Sequence, residues 1–164
     1  MNKTRGCLQR IQRSLCSRFP LMRSGNLTGR EPVLLLCFWL LLLRRDANGW
    51  LRMSLLASVL HELGHITVYR LLTGAWPELF LGFTGICMHT QGKAIPIKAE
   101  LWITAAGPAV NLLLAVGCRF WMCAFRTTVQ GMGWMWCNLL LGLFNLLPLP
   151  PLDGWHLLWL MVRR

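Results

Sequence analysis

The chain has 164 residues, of which 55% are hydrophobic and 14% charged, whereas about 25% of an ordinary soluble domain is charged. Its formal net charge is +11. These figures exclude a water-soluble globular enzyme and a large multidomain protein, because four or five membrane crossings of about 20 residues would fill the chain.

Residues 1–31 hold seven of the 17 basic residues against one acid, Glu31. In this basic tail Leu8, Ile11, Leu15, Phe19 and Met22 recur at intervals of three and four, which predicts a cytoplasmic amphipathic helix lying on an anionic lipid surface. An organellar transit peptide, or a true start at Met22, accounts for the same composition. With no phosphate-cradling loop and no base-stacking pattern, nucleic acid is not expected as a partner.

Residues 32–164 read as one membrane-embedded domain of about four transmembrane helices with a small re-entrant β-hairpin. The first apolar run, 32–43, is short for a span and ends at Arg44, Arg45 and Asp46. A second helix is expected over 51–73. Residues 79–97 carry Gly82, Gly85 and Gly92 among β-branched residues, and Gln91-Gly92 is the expected hairpin turn. Further spans are expected over 99–117, around Gly107-Pro108, and over 131–147, with a final helix over 155–162. Four crossings with both termini inside place 12 of the 17 Lys and Arg residues in the cytoplasm, as the positive-inside rule favours. Seven cysteines without a CxxC pair, mostly in apolar runs, do not suggest a disulfide framework.

The second span contains His61-Glu62-Leu63-Gly64-His65. Ionisable groups at membrane depth are costly and by default functional. Residues four apart share a helix face, so both imidazoles can reach one Zn²⁺ while Glu62 serves as general base. By composition alone, such a motif would arise in this chain with a probability of roughly 0.002. Ser54, Ala57, Ser58 and Gly64 are small, and are expected to let the backbone of a segment carrying the remaining ligand approach closely. A catalytic zinc needs three protein ligands, and Glu78, His89, Glu100, Asp153 and His156 are the candidates. Asp153 stands out, because it ends a Pro-rich unwound stretch inside an apolar region.

Three motifs in order carry a resemblance: His61-Glu62-x-x-His65, Ala106-Gly107-Pro108-x-x-Asn111, and Asn145-x-x-Pro148-x-x-Pro151-Leu152-Asp153-Gly154. Residues 32–155 thereby resemble the site-2 protease family of intramembrane zinc metalloproteases (M50), and within it the short form of the stage IV sporulation protein FB group. The resemblance implies that His61, His65 and Asp153 bind zinc, that Glu62 is the base, and that Asn145 and Pro151 border the active site. It also implies that the hairpin offers an edge strand to substrate. Trp155 and His156 depart from the Gly and Arg usual in relatives. Because the chain ends 11 residues past Asp153, the further spans, CBS domain and PDZ domain of longer relatives are not expected.

The function expected is regulated endoproteolysis of a membrane-associated protein in a bacterial cell membrane, with a sporulation sigma-factor precursor as a candidate substrate and room for regulatory membrane partners. Asn111 or Asn145 would steady the substrate backbone or the oxyanion. An extended substrate would pair with the edge strand at 86–90. The alternatives are a catalytically inactive membrane scaffold and a different membrane zinc hydrolase, such as a peptidase of prenylated C-termini.

Overall fold

The computed structural model describes residues 40–82, 85–89 and 95–162, with the two strand segments described as backbone. The basic tail, residues 32–39 of the first apolar run and the expected turn at Gln91-Gly92 lie outside the described residues. The chain divides into two compact units, one of Leu40–Trp76 with Ala94–Arg164 and one of Met1–Trp39 with Pro77–Lys93.

In the first unit, residues 40–45 are helical and a short turn leads into α1, Trp50–Thr73. Gly49 at the N-cap has φ 75° and offers no side chain. The carboxylate of Asp46 takes over that role and accepts a hydrogen bond from the Arg52 backbone N–H at 3.0 Å. Gly74 ends the helix at φ 67°, with its N–H bonded to the Arg70 carbonyl. The Arg70 guanidinium lies 4.5 Å above the Trp76 ring.

Three more helices follow: α2, Ile97–Ala124; α3, Val129–Asn145; and α4, Asp153–Val162. α2 lies at the centre and packs against each of the other three. It runs unbroken through Pro108, which supplies no N–H to the carbonyl four residues earlier. α3 opens under the Thr128 hydroxyl, which accepts from the Gly131 N–H at 3.0 Å.

The distribution of side chains is inverted relative to a water-soluble bundle. Leu113, Phe120, Trp121 and Phe125 are exposed, whereas His61, His65, Thr104, Asn111 and Asn138 are buried. Four crossings were expected; among the described residues one helix, α2, with 28 residues and a mean hydropathy of 1.7 over its best window, is long and apolar enough to span a bilayer. The other described helices miss that measure for local reasons. α1 carries Arg52, His61, Glu62, His65 and Arg70, α3 stops after 17 residues ahead of the Pro-rich stretch, and α4 has 10 residues.

In the second unit, β1, Glu78–Gly82, pairs antiparallel with β2, Gly85–His89, in the register Glu78↔His89 to Gly82↔Gly85. Gly82 and Gly85 form the last pair of the hairpin, and the expected turn at Gln91-Gly92 lies outside the described residues.

Candidate metal centre

α1 buries Ala57, His61, Gly64 and His65 along one stripe, the consequence of spacings of three and four on a helix. Gly64 meets α2 so closely that a Cβ there would come within 2.9 Å of the Ala106 carbonyl oxygen and of a Val110 methyl. The backbone admitted by small residues is therefore that of α2. Ser54 and Ser58 are exposed and take no part in this contact, and the third acidic candidate comes from α4.

Behind the histidines α2 presents Gly107, whose missing side chain leaves room for both rings. A Cβ on Gly107 would overlap Nε2 and Cε1 of His65 and Nε2 of His61. One turn earlier, the Ile103 carbonyl oxygen lies 2.7 Å from His65 Nδ1. A carbonyl only accepts, so Nδ1 carries the proton, and in the neutral ring the Nε2 lone pair then faces away from Ile103.

Asp153 is the first residue of α4, after an irregular turn in which the Leu152 N–H donates to the Leu149 carbonyl at 2.8 Å. Gly154 then lies against the carbonyl oxygens of Leu146 and Leu147, with no space for a Cβ. This close approach seats the start of α4 against the end of α3.

Three atoms converge as a result. His61 Nε2 is 3.0 Å from Asp153 Oδ2 and 3.2 Å from His65 Nε2, and His65 Nε2 is 3.3 Å from Asp153 Oδ2. Nitrogen and oxygen ligands of a tetrahedral zinc, at about 2.0–2.1 Å from the ion, stand about 3.3 Å from one another. The donor set fits as well. Carboxylate oxygen and His65 Nε2 are both acceptors, so His61 Nε2–H could satisfy one of them, whereas a cation would satisfy all three. Among the described residues, His61, His65 and Asp153 form the one group of this kind able to hold a metal. The buried Nδ1 of His61 has no protein partner there.

The remaining candidates are distributed differently. Glu62, half-buried beside the cluster, makes no hydrogen bond or ion pair among the described residues. Asn111 is fully buried against Gly142 of α3, and neither its amide nitrogen nor its oxygen has a partner among the described residues. Asn145 Nδ2 donates to the Leu141 carbonyl at 3.1 Å, and Pro151 is exposed. Two of the leftover ligand candidates pair with each other: His156 Nε2 lies 3.2 Å from Glu100 Oε1. The backbones of Glu78 and His89 pair in the hairpin. Sequence reasoning missed the Ile103 carbonyl and the roles of Gly107 and Gly154. Glycine beside each motif was a visible signal, but its use depends on which helix comes to rest there.

No protein-family model matches the chain. Superposed on the solved site-2 protease from Methanocaldococcus jannaschii, it gives a TM-score of 0.57, with 25% identity over 80% of this chain and 63% of that one. The fold resembles that of a site-2 protease. The chain is also 37% identical over 144 residues to the putative zinc metalloprotease Rip3 of Mycobacterium tuberculosis, a match covering 83% of this chain and 34% of the relative. The zinc metalloprotease MJ0392 of M. jannaschii is 35% identical over 106 residues, covering 61% of this chain and 30% of the relative. The chain thus spans about a third of the length of these curated relatives.

Proposed function

We propose that the chain is the catalytic core of a site-2-type intramembrane zinc endopeptidase, acting on a membrane-associated protein. The observation that carries this reading is the convergence of His61 Nε2, His65 Nε2 and Asp153 Oδ2 within 3.0–3.3 Å, with the Glu62 carboxylate, unpaired among the described residues, next in sequence to His61. His61, His65 and Asp153 would hold a zinc ion. The ion supplies Lewis acidity, which acidifies water and polarises a carbonyl. Glu62 takes the proton of the attacking water and delivers it to the leaving amine nitrogen, so that one carboxylate acts first as base and then as acid. His65 stays in one tautomer and one orientation through its bond to Ile103.

Asn145 and Pro151 border the path of the substrate at the Pro-rich turn, where the second N–H of Asn145 is free to steady a substrate carbonyl. Asn111, one turn beyond Gly107 on α2, is buried with a carboxamide that has no partner among the described residues, and it would reach substrate backbone only where α2 and α3 part. The hairpin receives an extended peptide by β-augmentation, re-entering the membrane to do so.

The apolar exterior and the buried polar interior support an integral membrane protein. The proposed multi-pass topology in a bacterial cell membrane, with both termini cytoplasmic, rests on the distribution of Lys and Arg along the sequence. The short-form resemblance makes a membrane-associated sigma-factor precursor a first client to assay. Co-expression of candidate membrane clients with the wild type and with Glu62→Gln tests the proposal. Cleavage by the wild type alone is expected. Equal cleavage by Glu62→Gln would remove this chemistry.

A further inference from the structure

Asp153 depends on a short helix for its position. α4 has 10 residues and follows a Pro-rich turn, and a helix of that length has little stability of its own, so the carboxylate stays in place only if α4 is held from outside. Gly154 fixes its beginning against α3. One turn after Asp153, the ring of His156 reaches α2, where its Nε2 lies 3.2 Å from Glu100 Oε1. A carboxylate oxygen accepts, so Nε2–H donates. The ring of Trp159 stacks on His156 with centroids 6.2 Å apart and planes at 20°. Glu100 lies in the first turn of α2, one turn ahead of the Ile103 carbonyl that orients His65. Both side chains are about one-third exposed. Burial therefore gives them no structural necessity.

We propose that Glu100 and His156 are positioning residues for the metal centre: their hydrogen bond clamps α4 to the turn of α2 that orients His65, and so sets Asp153 against the two histidines. This inference rests on the zinc reading above and adds to it a tie between the sources of the second and third ligands. The bond is made by Nε2 and not by Nδ1, which gives a selective test. A Gln side chain can place its amide N–H where Nε2–H was, whereas the shorter Asn places its amide near Nδ1 and falls short of Glu100.

The experiment is a zinc affinity measurement by chelator competition on full-length protein in detergent, with the absorption spectrum of the Co²⁺-loaded form and helix content by circular dichroism alongside. His156→Asn, His156→Leu and Glu100→Leu should each weaken zinc binding by about 10–100-fold, the range in which loss of support around a metal site falls, and alter the Co²⁺ spectrum. His156→Gln should stay near the wild type. The double variant Glu100→Leu/His156→Leu should be no worse than either single one. Wild-type affinity and spectrum in His156→Asn, losses that add in the double variant, or equal losses in His156→Gln and His156→Asn at unchanged helix content would each overturn the proposal. A wild type that binds no zinc would overturn the zinc reading itself, whereas zinc binding that is indifferent to these substitutions would overturn only the clamp.

Discussion

Gly107 lies against the His65 ring with no room between its Cα and the imidazole Nε2 for even one methyl group. The glycine of α2 is thus the floor of the cluster, and the two histidines of α1 rest on it. Gly107→Ala forces the rings to move or the helices to separate. We expect about 1–3 kcal/mol of destabilisation from overpacking, together with about 10–100-fold weaker zinc binding. Thermal unfolding and zinc competition check both, and an alanine variant that keeps wild-type affinity would show that α2 does not support the rings.

Gly154 makes the corresponding contact on the other side, where its Cα lies against the Leu146 carbonyl oxygen. Backbone cannot yield as a flexible side chain does. Gly154→Ala should therefore displace the start of α4 and lower stability by about 1–3 kcal/mol. The loss should carry the zinc with it, because Asp153 is the adjacent residue. Unfolding curves at saturating and depleted zinc separate the two effects.

The parts of this centre that sequence revealed are those encoded locally. His61 and His65 share a face because of a four-residue spacing, and the expected limits 51–73 match Trp50–Thr73 because α1 is bounded by Gly49 and Gly74. Asp153 was singled out by the Pro-rich break before it. The contacts that complete the centre join residues 38 to 92 positions apart, such as His65 with Ile103 and His61 with Asp153, and no local pattern encodes them. Strand pairing is non-local in the same sense: the register that sets Gly82 against Gly85 comes from the two strands together and not from either glycine alone.

The loop before α1 should respond to acid. Desolvation acts to raise the Asp46 carboxyl, but the backbone N–H groups of Arg52, Leu51 and Gly49 and the Arg52 guanidinium hold it below the usual carboxylate range. A group lowered in the folded state stabilises above its unfolded pKa, and that contribution disappears as the pH falls through the folded value. Asp46→Asn should therefore be less stable than the wild type at neutral pH, and the two should converge in acid below the carboxylate range. A difference that persists there would assign the effect to shape and not to charge.

The hairpin offers a backbone test of substrate binding. In a two-residue reversal the closing pair, Gly82 and Gly85, is hydrogen-bonded, so alternation engages Cys87 with Phe80 and turns the N–H groups of Ile86 and Met88 to the outer edge of β2. Met88→Pro removes an edge donor while leaving the β1–β2 bonds intact. We expect a large loss of cleavage from Met88→Pro at unchanged zinc content, and near-normal rates from Met88→Leu. Normal cleavage by Met88→Pro would mean that substrate does not bind along this edge.

Metal analysis of the purified protein tests the central claim most directly. The wild type and Glu62→Gln should each hold one zinc per chain, because Glu62 is not a ligand in this account, whereas His61→Ala and Asp153→Ala should hold little or none. Stoichiometric zinc in both ligand variants would contradict the centre described here.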